Sequence, residues 1–177
     1  MKNLKQLTFT ICMLITFGAF SQNDKDQEIM SDAQSAKMKL IEADATLKEY
    51  FDSAAGYVLF PNVGEGAFII GGATGNGVVY EDGDAIGMAS LTKLDIGLQA
   101  GGQAIIEIIF FETEAALMEF KEGQFEFSAE ASAVAVESGV AAKASYSDGV
   151  VAFALPKAGL MAEASVGGQK FTFTPFD

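Results

Sequence analysis

The sequence predicts an α+β domain: a long N-terminal amphipathic helix and one short helix packed on a curved antiparallel β-sheet or partly closed barrel. Three observations predict it. Between Ile29 and Ala54 apolar residues recur three or four apart, which is the spacing of one helix face. Across residues 55–80 seven glycines interrupt runs of valine, isoleucine and phenylalanine. That composition implies turns, bulges or close backbone approach, because a flexible linker would lack the apolar residues. The remaining chain alternates apolar and polar residues between turn signals, as half-buried strands do.

Residues 1–21 come first. Lys2 and Lys5 precede an apolar core from Leu7 to Phe20, and Ala19-Phe20-Ser21 leads into a polar run. This reads as a secretory signal peptide cleaved after Ser21 or Ala19, its core short for a membrane span. The single cysteine, Cys12, lies within that core and lacks the small-residue context of a lipidated cysteine. What remains, 22–177, is long enough for one domain with a real core. We divide it into a helix over about 24–54 and a β-rich part over about 55–174.

Processing leaves no cysteine, and the chain has no histidine. Thiol nucleophiles, Ser-His-Asp triads, histidine-ligated zinc and disulfide frameworks are thereby excluded. No catalytic residue, cofactor site or metal site is nominated. An enzyme would have to work through a pair of carboxylates, and no pair stands out. The formal net charge is −13, becoming −15 once Lys2 and Lys5 are removed, and arginine is absent. Nucleic acid is therefore not an expected partner, since neutralising phosphates needs a cationic surface. Any contact with anionic lipid must be local.

In the N-terminal helix Ile29, Ala33, Ala36, Leu40, Ala43, Leu47, Phe51 and Ala54 fall within about an 80° arc. Lys37 and Lys48 lie on one flank of that stripe and Lys39 on the other, with Asp26, Asp32 and Asp44 among them. Two readings follow. In one the stripe packs on the sheet and the lysines are solvated edge residues. In the other the helix lies on a bilayer, with its apolar face inserted and its lysines reaching headgroups.

Strands are expected at Gly56–Pro61 and Gly66–Ile70, with Pro61-Asn62-Val63-Gly64 turning between them. Asn76-Gly77 signals a hairpin. The alternative for Gly71–Gly77, a phosphate-cradling loop, lacks a following lysine and a helix N-terminus. Glu81-Asp82-Gly83-Asp84 reads as a solvated turn; as a cation site it lacks EF-hand ligand spacing. Leu91–Gly102 continues extended, and Ala104–Phe111 is an apolar run suited to burial on both faces. Glu107 interrupts that run and reads as an edge or strand-end residue facing solvent; inside an apolar strand it would need a cation or a raised pKa.

Glu112–Lys121 carries acids in its first turn and a lysine at its end, followed by Gly123, and reads as the short helix. Phe125–Ala135 alternates as a strand with one wet face. Ser138–Ser147, Gly149–Leu155, Ala158–Val166 and Lys170–Thr174 continue in that style, as an antiparallel meander. An outer-membrane barrel fits poorly, because the chain has no Trp and four Tyr from which to build aromatic girdles.

The segment AAGYVLFPNVGEGAFIIGGATGNGVVYEDG, then SLTKLDIGLQAGGQ, FKEGQFEFSAEASAVA and KAGLMAEASVGG, resembles in order the blocks of the SYLF domain family. The resemblance spans roughly Asp32 to Phe173. It implies a non-enzymatic lipid-binding module, since eukaryotic relatives are associated with phosphoinositide membranes and, in some, with actin. Relatives usually carry an added SH3 or FYVE module, which is missing here, and the signal peptide directs this chain away from actin. By position, the membrane-contacting helix of such relatives corresponds to Lys25–Lys48. The expectation is an exported protein, periplasmic or extracellular, peripheral to a membrane, meeting phospholipid through Lys37, Lys39, Lys48, Leu40 and Leu47. The alternative is a structural or protein-interaction module of the envelope without lipid affinity.

Overall fold

The computed structural model describes residues 24–64, 72–94, 104–125, 127, 131–157 and 164–176. The leader expected over 1–21 and the strand expected over Gly66–Ile70 lie outside the described residues. Helix α1 covers 24–43, and α2 follows at Leu47–Ser53. Strands β1 (Gly56–Gly64), β2 (Gly72–Glu81), β3 (Asp84–Leu94) and β4 (Ile105–Phe111) come next. Helix α3 (Glu114–Lys121) leads to β5 (Ser132–Ala135), a 3₁₀ turn at Ala141–Lys143, β6 (Val150–Pro156), β7 (Ala164–Ser165) and β8 (Gln169–Pro175).

The strands line up in the order β7-β5-β6-β4-β1-β2-β3-β8. All pairs are antiparallel except β5 with β6, where Val134 and Ala135 run parallel to Phe153 and Ala154. The sheet is therefore mixed rather than purely antiparallel, and among the described residues its ladder does not close into a barrel. It is nevertheless strongly curled. Between β4 and β8 lie three strands, so a flat sheet would hold them about 19 Å apart. Yet the Gln169 amide of β8 donates to Glu107 Oε2 of β4 at 3.0 Å, and the rings of Phe60 and Phe171 lie 6.0 Å apart.

The period of two sorts the strands onto two cores. Tyr57, Leu59, Ile106, Ile108, Phe110, Val151 and Phe153 meet Ala33, Ala36, Leu40 and Leu47 of α1 and α2. The alternate residues Val58, Phe60, Ile109, Phe111 and Ala152 meet Leu117 and Phe120 of α3. Both faces of β4 are buried, as its apolar run predicts.

The expected long helix is two helices. It breaks at Asp44, whose Oδ1 accepts hydrogen bonds from the Thr46 amide at 3.0 Å and the Thr46 hydroxyl at 2.7 Å. Such a local side-chain bond offers the backbone an alternative to the helical ladder. Three other expectations fail for identifiable reasons. Pro61-Asn62-Val63-Gly64 does not turn; β1 runs through it with a register shift between Leu59 and Asn62, and a bulge is where a central strand accommodates a proline. Asn76-Gly77 lies within β2. A Cβ at Gly77 would fall 2.6 Å from both the Leu59 carbonyl oxygen and Phe60 Cδ1, so that glycine serves close packing against the bulge. The hairpin sits instead at Asp82-Gly83, with φ of 52° and 87°, the signature of a tight two-residue turn. Ser138–Ser147 is not a strand: its middle is the 3₁₀ turn.

The short helix forms as its sequence implies. Thr113 caps it, its hydroxyl accepting from the Ala116 amide at 3.3 Å, and Gly123 ends it with φ of 69°. Of the expected strand Phe125–Ala135, the described residues form one only over Ser132–Ala135, and of Ala158–Val166 only Ala164–Ser165.

Candidate functional site: the α1–α2 edge

The five residues expected to meet lipid do not share one environment. Leu40 and Leu47 have no exposed surface; they face the sheet in the core beneath the two helices. Lys39 and Lys48 are exposed. Lys37 is half-buried and turns inward, its ammonium donating to the Tyr57 hydroxyl at 3.1 Å. The same nitrogen lies 4.3 Å from the Phe51 ring centroid and 5.2 Å from that of Tyr57, within cation–π range. Tyr57 in turn stacks on Tyr80 at 4.7 Å.

Burial holds the Lys37 pKa below its ordinary value, with Asp52 pulling the other way. Burial likewise pushes Tyr57 and Tyr80 up to about 12, the neighbouring Tyr57 adding to the rise at Tyr80. All three shifts favour uncharged forms, consistent with a site drawn out of water. Met38, pointing away from the core, is 65% exposed.

Asp44 ties this edge to the rest of the domain. Only 1% of it is exposed, and its Oδ2 accepts the Ala141 amide at 2.8 Å. Burial raises its pKa, but hydrogen bonds from Thr46, Ala141 and Gly139 outweigh that and hold the carboxyl at about 2. The Tyr50 hydroxyl of α2 adds a bond to the Ala144 carbonyl at 2.8 Å. The bend at Asp44 and the 3₁₀ turn thus form one hydrogen-bonded unit.

Glu107 is the second polar feature, and here the solvent-facing expectation is corrected. It has no exposed surface. β4 lies between β1 and β6, so Glu107 has no edge to occupy, and the curl brings in Gln169, itself 4% exposed, as donor. Sequence reasoning did not pair these two, because 62 residues separate them. The ring environment of Lys37 is likewise not legible locally: Phe51 falls on the apolar stripe, and nothing local joins it to Tyr57 and Tyr80. The Asp-x-Thr spacing of Asp44 and Thr46 was the one local signal available for the break.

Among the described residues no group of three or more His, Cys, Asp or Glu is arranged to hold a metal ion. Among them, too, no helix is long and apolar enough to cross a membrane.

Residues 92–174 match the family model described as Ysc84, Las17-binding protein actin regulator. The match opens near the end of β3 and closes in β8, so it takes in Glu107 and Gln169 but not α1, α2 or Lys37. No curated protein matches the chain.

Proposed function

We propose, from the match of residues 92–174 to that family model and the resemblance of the ordered blocks to SYLF domains, an exported, non-enzymatic, lipid-binding protein peripheral to a cell-envelope membrane. The match over residues 92–174 carries this reading, since lipid binding is the general property of SYLF domains; the leader-like residues 1–21 support export. The contact we assign is the outer surface of α1 and α2, where Lys39, Lys48 and Met38 are exposed. Lys37 is engaged by Phe51 and Tyr57, and Leu40 and Leu47 by the core. Deeper insertion would require the helices to leave the sheet. Each lysine near an anionic surface contributes about 1 kcal/mol, so contact through two of them is weak and salt-sensitive.

The test is vesicle co-sedimentation of the chain from Gln22 onward, which contains every described element, on anionic and zwitterionic lipid across a salt series. Replacing Lys39 and Lys48 together by Glu is expected to lower anionic-vesicle binding by roughly tenfold or more without changing thermal unfolding. Equal binding by the double variant would refute the contact.

A second reading is favoured by a specific observation. The apolar stripe is fully used as core and Lys37 is satisfied internally, so the helices need no bilayer to account for their pattern. The domain would then be a structural or protein-interaction module of the envelope, and absence of binding to either vesicle would select it. Las17 binding and actin regulation describe the matched family; an exported chain would not meet actin, and we do not extend them to it.

A further inference from the structure

A cavity of about 300 Å³ lies beside β5 and β6, between residues of those strands and Phe125 and Phe127. Its wall is apolar, formed by Phe125, Phe127, Val150 and Ala152. That wall is preformed: Phe125 is packed edge-on against Phe127 at 4.9 Å and against Phe111 at 5.9 Å, and lies 5.8 Å from Phe171. Its rim is polar and exposed, with Ser132, Ser147 and Asp148. Asp148 is the one charged residue among the described lining residues, and no cation accompanies it. Its position is fixed by the tight turn it occupies, with φ of 52°, closed by reciprocal backbone bonds between Ser147 and Val150 at 2.9 and 3.0 Å.

An apolar wall ending at a hydroxyl- and carboxylate-bearing rim has the polarity of a site for an amphiphile. A carboxylate or phosphate head would meet Asp148 unpaired, on a chain of net charge −13; an amine head would pair with it. The volume lies at the lower end of small-molecule sites, roughly 300–1,000 Å³, and takes one alkyl chain rather than the two of a bilayer lipid. We propose that this cavity binds a free single-chain amphiphile with an amine head, the chain against Phe125 and Phe127 and the ammonium at Asp148. This site shares no residue with the α1–α2 edge, so it stands or falls apart from the membrane-contact reading.

Titration calorimetry of the chain from Gln22 onward with decylamine, decanol and decanoate, each below its micellar range, tests it. Saturable one-to-one binding is expected in the order amine, alcohol, carboxylate. The amine should exceed the alcohol by about threefold, the scale of one exposed ion pair. Asp148→Asn keeps a residue that tolerates the left-handed backbone and should bring the amine down to the alcohol. Ser147→Trp, at an exposed rim position, should weaken all binding by at least roughly tenfold with unchanged thermal unfolding. Decanoate binding as tightly as decylamine overturns the proposal. So does undiminished decylamine binding by Ser147→Trp, which would mark diffuse attraction to an acidic surface. Should that variant unfold, Asp148→Asn decides: an amine preference that survives it removes the assigned contact.

Discussion

On the α1–α2 face of the sheet, polar groups fasten the packing: Asp44 holds the Thr46 and Ala141 amides, Tyr50 the Ala144 carbonyl, and Lys37 sits between Phe51 and Tyr57. On the α3 face the contacts are rings and curvature, with Phe111, Phe120, Phe125 and Phe171 meeting where β8 comes round toward β4. The Glu107–Gln169 bond is a polar link across that curl. The difference separates two ways of holding a helix. α1 and α2 are located largely by directional bonds that charge and pH can weaken, whereas α3 is located mainly by ring packing, with one partly buried ion pair from Lys121 to Glu81 of β2 at 3.0 Å.

The largest expected effect lies on the ring-packed face. Phe120 is fully buried, with its ring centroid 5.1 Å from Phe111 and 5.4 Å from Phe171. Phe120→Ala should destabilise the domain by about 3–5 kcal/mol, and Leu40→Ala on the opposite face by about 2–5. Magnitude alone will not separate them; the pH dependence will. Urea unfolding at pH 7 and pH 3 should show the same loss for Phe120→Ala at both, because the ring packs against those of Phe111, Phe125 and Phe171, none of which titrates. A loss that changes with pH would show that Phe120 is coupled to the carboxylates of its own face, Glu107 or the Glu81 paired with Lys121.

Asp44 gives the next effect. Its folded pKa is depressed from 3.8 to about 2, so its stabilising contribution is present above pH 4 and is lost as pH falls toward 2. Asp44→Ala should cost about 1–3 kcal/mol at pH 7, the range for stranding buried donors, and flatten the stability profile between pH 4 and 2. Protection of the Ala141 amide in hydrogen exchange should fall with it. A variant that loses stability but keeps the acid slope would place that slope in other carboxylates.

These same groups show what was legible in sequence. Helix periodicity located the buried stripe of α1 and α2, because a 3.6-residue repeat is local; it did not reveal the break, because Asp44 is held partly by Ala141 from far along the chain. Glycine density announced tight β-structure correctly. The role of Gly77 was misassigned because its constraint, the approach of Leu59 and Phe60, comes from a neighbouring strand. The family resemblance was legible in the ordered blocks, and the match over 92–174 accords with it. The candidate site was legible as residue types only. Whether a lysine beside an apolar stripe faces water or a ring depends on what the following helix and strand bring to it, and Lys37 and Lys39 fall on opposite sides of that distinction.

The smallest effect concerns Lys37 itself. Desolvation lowers its pKa, so the protonated form is disfavoured by folding, while the rings and the Tyr57 hydroxyl return part of that cost. Lys37→Met keeps the aliphatic packing and removes the charge, and is expected to change stability by less than about 1 kcal/mol in either direction. A double-mutant cycle with Tyr57→Phe isolates the ammonium–hydroxyl contact, with a coupling expected near 0.5 kcal/mol or above. The alkaline limb reads the same contact. Tyr57 and Tyr80 are raised from 10 to about 12, so the stability they lend is complete below pH 10 and is lost as pH rises through 12. Tyr57→Phe should shallow that limb, as measured by urea unfolding between pH 9 and 11.5. Phe120→Ala should leave it unchanged, because the buried tyrosines lie on the α1–α2 side. If Lys37→Met shows no coupling to Tyr57, the α1–α2 face is fastened by Asp44 and Tyr50 alone, and Lys37 becomes available to a headgroup at no cost to the fold.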